Sequence, residues 1–336
     1  MKRAARQADR GSRMVSVGAY RPAREVTNAE ICERIDSSDD WIRRRSGIST
    51  RRWARADQTV ADMGVEAATR AVSAAGLEAD CIDMLIVSTV THMYQTPAAA
   101  PEIAERLGLR KVPAFDVSAA CAGFGYCVAL ADSTIRAGDA RCVLVVAAEK
   151  LTDITDPDDR TSAFLFADGA GAVVVSASTK PEHYGIGPVV WGTDGSRLSV
   201  VGQQPSWTDA VRDDASGPRP ALRMRGQELF RWAVVELTEV CSRAVTAAGL
   251  DITELSAFIP HQANARITEA LARALGLPAH IVRAHDIEHS GNTSSASIPL
   301  AMEHLLSTGA VRSSDLALLV GFGSGLTYAA QVVELP

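Results

Sequence analysis

The six cysteines form no CxxC pair and have no companion histidine cluster. That spacing indicates neither a zinc site nor a disulfide framework, so the scattered thiols are expected to be reduced, in a cytoplasmic protein. Lysine is scarce, 4 against 30 arginines, and acids outnumber bases to a net charge of −6. The balance excludes bulk attraction to nucleic acid and leaves only local arginine patches. No strand–GxGxxG–helix order exists, because GAGA and GFGSG both precede strands; a dinucleotide fingerprint is excluded. Ser324 is not a nucleophile elbow, since Phe322 and Leu326 stand where GxSxG needs glycine. The longest charge-free run, 316–333, is broken by Gly321, Gly323, Ser324, Gly325 and Gln331, which point to buried strands and a tight turn instead of a membrane span. Residues 1–13 are basic and lack the apolar stretch of a signal peptide. They are expected to be a disordered tail or a start codon called too early, with Met14 as the working start.

What remains is a globular chain with an ample core: 336 residues, 47% hydrophobic and 22% charged, enough for one large domain or two half-size ones. An internal repeat favours two halves. RAVSAAGL at 70–77 returns as RAVTAAGL at 243–250, an offset of 173 (243 less 70), and each copy precedes an acidic segment and an apolar run, IDMLIVS and LSAFIPH. A second echo links LADSTIRAGDARCVLVVAAE (130–149) with AMEHLLSTGAVRSSDLALLVGFG (301–323), each reading as helix, glycine stop, polar turn and buried strand. FADGAGAVVVS (166–176) and GFGSGLTYAAQVVE (321–334) read as glycine turns entering strands. Two similar α/β halves packed as one body are expected, 14–180 and 181–336. Early in the second half, residues 202–226 are polar and Pro-rich and read as a mobile surface excursion.

Three polar side chains fall at corresponding strand-to-helix turns. Cys121 follows the strand ending near Val117 and precedes a helix-spaced segment, so a helix N-terminus there would lower the thiol pKa. Small neighbours (Ala119, Ala120, Ala122, Gly123) leave room for a substrate carbonyl at the sulfur. His261 sits just after a strand, in register with Ser88, and Asn292 sits in a small-residue turn before a helix, topologically like Cys121. Each alone has a plainer reading: an inert buried cysteine, a histidine satisfied at a helix start, a turn asparagine. Jointly they place a nucleophile, an imidazole and an amide at the carboxyl ends of strands, where sites form. The other five cysteines, Cys32, Cys81, Cys127, Cys142 and Cys241, lie in apolar contexts and read as core.

DVSAACAGF, PHQANARI, GNTSSAS and GFGSGLTYA, in this order, resemble the β-ketoacyl-acyl-carrier-protein synthase III family, from about residue 14 to 336. The segments 27–48 and 155–172 share the likeness. The resemblance implies an α/β thiolase fold, with duplicated αβαβα halves forming a five-layered body, and a homodimer. It implies that Cys121 takes an acyl group from a coenzyme A primer and that His261, neutral through burial, and Asn292 stabilise the enolate formed when malonyl carrier protein loses carbon dioxide. The oxyanion would lie between the backbone N–H groups of Cys121 and Ser324. Ser324 is a departure, since the family commonly has three glycines where this chain has Gly323-Ser324-Gly325. Phe322, Thr96, Met224 and Phe230 are assigned to the pocket. Trp41 and Arg160 match a pair that sandwiches the CoA adenine, with Ser37, Arg45 and Asn264 at the same entrance. Arg266 and Arg273, seven apart on one helix face, and Arg231 are assigned to docking an acidic carrier protein. Thr96 matches a position where the partner subunit closes the acyl pocket, and Phe occupies it in some members; a threonine implies a deeper channel and a primer larger than acetyl. No metal and no resident cofactor are implied: acyl-CoA is a substrate, and the chain grows on the phosphopantetheine of a carrier protein. Neither nucleic acid nor membrane is an expected partner. The expected function is chain initiation by decarboxylating condensation, in fatty-acid or type II polyketide synthesis. The alternatives are acyl transfer to a small acceptor without condensation, and a non-enzymatic scaffold, which the intact Cys121, His261 and Asn292 disfavour.

Overall fold

The computed structural model describes residues 11–178, 184–212 and 219–336. Its first half opens with β1 (Gly11–Tyr20), followed by a ribbon of β2 (Arg24–Thr27) and β3 (Thr50–Trp53) that encloses α1 (Asn28–Cys32) and α2 (Asp39–Ser46). Next come α3 (Val60–Ala74), β4 (Met84–Ser88), α4 (Ala99–Arg106), β5 (Ala114–Val117), α5 (Gly123–Ala137), β6 (Cys142–Lys150) and β7 (Asp168–Ser178). The second half runs β8 (Val190–Thr193), β9 (Val201–Gln204), α6 (Trp207–Arg212), β10 (Ala221–Met224), α7 (Gly226–Ala247), β11 (Ala257–Pro260), α8 (Ala265–Ala274), β12 (Val282–Arg283), α9 (Ile287–Ser290), α10 (Ser297–Ser307), β13 (Leu316–Gly323) and β14 (Thr327–Glu334).

The two five-stranded sheets have the same plan. One has the order β1-β7-β6-β4-β5 and the other β8-β14-β13-β11-β12. In each, the first two pairings are antiparallel and the last two parallel. The 173-residue offset read from the repeats carries β4 onto β11 and β6 onto β13, the paired parallel strands at the centre of each sheet. Helices α5 and α10 lie between the sheets: α5 packs on β1, β4, β6 and β7 and also on β13 and β14, while α10 packs on β1, β7 and β11. Helices α3 and α4 cover the outer face of the first sheet, and α7 and α8 that of the second. The result is the five-layered α/β/α/β/α thiolase fold. Sandwiching explains the unbroken apolar run Cys142–Ala148 of β6, a strand buried at every residue through Glu149 and Lys150. Among the described residues no helix is long and apolar enough to cross a membrane.

Several expectations need correction. Strand β1 begins at Gly11, not after Met14: Gly11, Ser12 and Arg13 pair with Ser178, Ala177 and Ser176, and Ser12 donates to Asp132 at 2.6 Å. Those three residues belong to the fold, and residues 1–10 lie outside the described part of the chain. The boundary at 180/181 lies outside it too. The segment 202–226 is not simply an excursion, because β9 and β10 pair as an antiparallel ribbon at its base; residues 213–218 are not among those described. Gly169 and Gly171 sit inside β7 and not in a turn before it. A Cβ on Gly171 would meet the Pro299 ring of α10 at 2.6 Å, so the glycine serves a close helix–strand packing.

The small residues around Cys121 have the same kind of explanation. A Cβ at Gly321 would come within 2.9 Å of the Ala122 Cα, and one at Gly323 within 2.7 Å of the Cys121 nitrogen. The second half's β13 thus presses its backbone directly onto the turn that carries the cysteine. Overpacking this seam should destabilise the fold by about 1–3 kcal/mol. Gly321→Val is accordingly expected to lower the thermal midpoint by several degrees relative to wild type in a calorimetric scan; an unchanged midpoint would mean that the halves do not pack this tightly.

Candidate active site

Three turns converge where the halves meet. After β5 the chain makes a single turn over Ala120–Ala122 and enters α5, which leaves Cys121 half-buried. His261 follows β11 directly, its N–H donating to the Val320 carbonyl of β13 at 2.8 Å. Asn292 is fixed from both sides, donating its N–H to the Leu165 carbonyl and accepting from Ala167 N–H, each at 2.9 Å. All three line one cavity of about 270 Å³, together with Phe322, Ser324, Met224 and Phe230. His261 and Asn292 are buried.

Each polar group is oriented by its neighbours. The Ser294 N–H donates to Asn292 Oδ1 at 2.9 Å. A backbone N–H can only donate, so the amide oxygen is committed there and Nδ2 is the group left for a ligand. His261 Nδ1 lies 2.7 Å from Ser297 Oγ, which also accepts the Gln262 N–H at 3.1 Å. We assign the Ser297 hydroxyl proton to Nδ1, which leaves hydrogen on Nε2. The Phe322 ring meets the imidazole edge-on, with centroids 5.3 Å apart. Burial pushes the His261 pKa down to about 3, with a hydrogen bond to the Ser294 backbone acting the other way. The ring is therefore neutral at physiological pH.

Cys121 departs from expectation. Burial pushes its thiol up to about 12; contact with the Ser294 side chain opposes that, and the charge of Glu149 adds to it. The start of α5 does not leave a resting thiolate here, because desolvation outweighs it. Ser324 adds no group to the pocket through its hydroxyl, which donates to the Val201 carbonyl at 2.7 Å and so ties the turn to β9.

The residues assigned to ligand binding divide into two groups. Arg45, Asn264, Arg231 and Arg266 line the cavity; the three arginines are exposed and mark its opening. Asn264 caps α8 through Oδ1 and holds the Arg45 carbonyl through Nδ2 at 3.0 Å, so it also joins α8 to α2. Arg273 lies outside the cavity, in a shallow groove with Arg43, Arg44, Arg266 and Phe230; sequence reasoning missed Arg43 and Arg44. Trp41, Arg160, Ser37 and Thr96 do not line the cavity. The Arg160 guanidinium lies 5.1 Å from the centre of the Trp41 ring, too close to admit an aromatic ring between them, and it also donates to the Asp36 carbonyl. An adenine sandwich requires that guanidinium to swing away. Trp41 touches the cavity only through Phe164, centroids 5.2 Å apart. Ser37 precedes α2 and is half-buried, and Thr96 is exposed in the loop before α4. Ser294, Ser297 and Glu149 were also missed. The serines stood in plain view within GNTSSAS but read as small turn residues; Glu149 was visible as a carboxylate directly after the apolar run Cys142–Ala148.

Residues 115–195 match the family model for 3-oxoacyl-[acyl-carrier-protein (ACP)] synthase III, and residues 245–335 match the model for its C terminal. The chain is 53% identical to the β-ketoacyl-[acyl-carrier-protein] synthase III of Mycobacteroides abscessus, over 96% of this chain and 94% of that one. The chain belongs to the β-ketoacyl-acyl-carrier-protein synthase III family. The Streptomyces glaucescens synthase III is 52% identical, with 97% and 96% of the two chains covered. Among solved structures, a priming β-ketosynthase from a polyketide biosynthetic pathway superposes with a TM-score of 0.94 at 47% identity, covering 98% of this chain and 97% of that one. The Aquifex aeolicus synthase III superposes with a TM-score of 0.89 at 37% identity, covering 96% and 100%. As a synthase III, the chain is a ketosynthase acyltransferase that initiates chains by condensation. Among the described residues no group of three or more His, Cys, Asp or Glu is placed to hold a metal ion.

The neutral, buried His261 has a consequence for stability. Its folded pKa of about 3 lies below the ordinary 6.5, so between those values the unfolded chain binds the proton and the folded one does not. Stability from this group is complete above pH 6.5 and falls as pH drops towards 3. Wild type should therefore lose about 1–2 kcal/mol more than His261→Gln between pH 6.5 and 5 in denaturant titrations. Equal losses would mean that the ring is not held neutral.

Proposed function

We propose that Cys121 stores the primer acyl group and that His261 and Asn292 serve the malonyl half of the reaction. The observation that carries this reading is the convergence of the three side chains on one cavity, with a neutral imidazole and an amide whose Nδ2 is turned to the ligand. The Cys121 sulfur attacks the thioester of an acyl-CoA, and coenzyme A departs. Malonyl carrier protein then places its thioester beside His261 and Asn292. As carbon dioxide leaves, the enolate oxygen accepts from His261 Nε2–H and Asn292 Nδ2–H; a neutral ring and an amide give hydrogen bonds that strengthen as charge develops. The carbanion attacks the Cys121 thioester, whose oxyanion is held by the N–H groups of Cys121 and Ser324, and the β-ketoacyl carrier protein is released. A transfer-only enzyme has no need of an enolate site, and the fixed amide of Asn292 speaks against that reading.

Substrates and partners follow from the surroundings of the cavity. The arginines at its opening, Arg45, Arg231 and Arg266, with Arg43, Arg44 and Arg273 beside them, suit the phosphates of CoA and an acidic carrier protein; Asn264, Ser37, Trp41 and Arg160 complete the CoA entrance once Arg160 has swung aside. Met224, Phe230 and Phe322 supply apolar wall. The chain works as a homodimer. Strand β5 is an edge of its sheet, and Phe115 on it and Met93 and Tyr94 of the loop before α4 are exposed apolar groups, a combination that favours burial against a second copy. Thr96 of that loop then reaches the partner's acyl pocket, and its small side chain leaves space for a primer larger than acetyl. The enzyme acts in the cytoplasm and requires no metal or resident cofactor, and its setting is fatty-acid initiation or, in keeping with Thr96, priming of a type II polyketide.

Intact-protein mass spectrometry after mixing with a panel of acyl-CoAs tests the first half. An adduct is expected on wild type and not on Cys121→Ala, with a primer longer or bulkier than acetyl loading best, and a chase with malonyl carrier protein should yield β-ketoacyl product. An adduct passed unchanged to a small acceptor would replace condensation with transfer, and preference for acetyl by a wide margin would remove the argument from Thr96. Arg273→Glu tests docking. The KM for malonyl carrier protein is expected to rise severalfold while acyl-CoA loading stays at the wild-type rate; an unchanged KM would move the docking surface elsewhere.

A further inference from the structure

Glu149 is the next-to-last residue of the buried strand β6, and it is neither the residue that stores the acyl group nor part of the enolate site. It is fully buried and, among the described residues, has no cationic partner. Its Oε2 accepts from Thr91 Oγ1 at 2.6 Å, from Val90 N–H at 3.1 Å and from Thr89 Oγ1 at 3.3 Å. Its Oε1 accepts from the hydroxyls of Ser294 and Ser295, each at 3.2 Å. Lys150, next in the strand, turns to the other face, where Nζ reaches the Ala56 carbonyl and Asp153. Asp168, opposite Lys150 in the ladder, is occupied by Ala54 and Thr152. The titratable groups on the Glu149 side are Cys121, coupled to it by charge, and His261, whose ring meets the Ser294 backbone.

Ser294 stands between them. It adopts a left-handed conformation, φ 51°, uncommon for a residue with a side chain and held here by the Asn292 amide. That conformation brings one residue into hydrogen-bonding reach of Cys121, His261, Asn292 and Glu149. Its hydroxyl can accept from the Cys121 thiol while donating to Glu149 Oε1. A carboxylate whose only neutralisation comes from hydroxyls and one N–H is costly to bury charged, and burial pushes Glu149 up to about 7 against those hydrogen bonds.

We propose that Glu149, acting through the Ser294 hydroxyl, receives the Cys121 proton during acyl loading. As sulfur bonds to the acyl carbonyl carbon, the thiol proton passes to Ser294 Oγ and the Ser294 hydroxyl proton passes to Glu149 Oε1. The carbon–sulfur bond to coenzyme A then breaks, and the proton returns by the same route to the departing thiolate. The carboxylate disfavours a free thiolate beside it, so proton loss and carbon–sulfur bond formation are coupled. His261 is a poor competitor for this role, since its burial holds it neutral and reserves it as a donor.

The inference rests on Cys121 as the acyl-accepting nucleophile, and the test separates the two. Acyl-Cys121 formation from acyl-CoA is followed by rapid quench and intact mass across about pH 5.5 to 9, for wild type, Glu149→Gln, Glu149→Asp and Ser294→Ala. Wild-type loading should rise with pH through about 7, the value at which Glu149 becomes a carboxylate. Glu149→Gln should load about 100-fold more slowly at neutral pH and lose that rise, the Asp variant should recover part of both, and Glu149→Gln acylated by long incubation should then decarboxylate malonyl carrier protein at the wild-type rate. Loading within a few-fold of wild type with the same pH profile would overturn the proposal, as would equal losses in both half-reactions. If Glu149→Gln fails to fold, Ser294→Ala decides: it keeps the carboxylate and breaks the relay, so its loading must fall, and wild-type loading would overturn the proposal. An absence of loading in wild type would overturn both the proposal and the reading of Cys121.

Discussion

The site depends on one close contact, the backbone of β13 against the turn that carries Cys121. Neither half holds the machinery alone. The first supplies the cysteine and Glu149, and the second supplies His261, Asn292 and the Phe322–Ser324 segment. They meet because Gly321 and Gly323 present no Cβ where the Cys121 turn has no room for one. The small residues on the first side, Ala119 to Gly123, answer the same requirement. A run of glycine and alanine that resembles a substrate channel is also a seam between two duplicated sheets.

Burial then sets the chemistry. Desolvation at the seam keeps His261 neutral and the Cys121 thiol protonated, and it raises Glu149 towards the neutral range. The same physical cause acts oppositely on acid and base, and the outcome is a neutral imidazole beside a protonated thiol. Ser294 meets all four groups, so in the proposed mechanism its left-handed backbone joins the loading side of the site to the decarboxylation side.

Much of this was legible in the chain. The repeat at 70–77 and 243–250 located the duplication, and its 173-residue offset brings the ends of β4 and β11 into register. Cys121, His261 and Asn292 were singled out because nucleophile, imidazole and amide chemistry fell at corresponding turns, and the three line one cavity. Other features were not legible, for physical reasons. The start of β1 at Gly11 was hidden because a basic, polar segment reads as a tail, although pairing with β7 orders it. The burial that raises the Cys121 thiol is a tertiary property that helix position cannot report. The Arg160–Trp41 stacking and the exposed Thr96 depend on side-chain geometry and on which chain closes the pocket. Ser294, Ser297 and Glu149 act through hydrogen bonds between segments remote in sequence, with Ser294 and Glu149 145 residues apart, and no local pattern marks such partners.

The division of labour between Cys121 and the His261–Asn292 pair is the central claim, and a rapid-quench measurement on Asn292→Ala addresses it most directly. Mixed with acyl-CoA and malonyl carrier protein, the variant should release a burst of coenzyme A equal to the enzyme present, with little carbon dioxide and little β-ketoacyl product. Loss of the coenzyme A burst, or carbon dioxide release at the wild-type rate, would contradict the account.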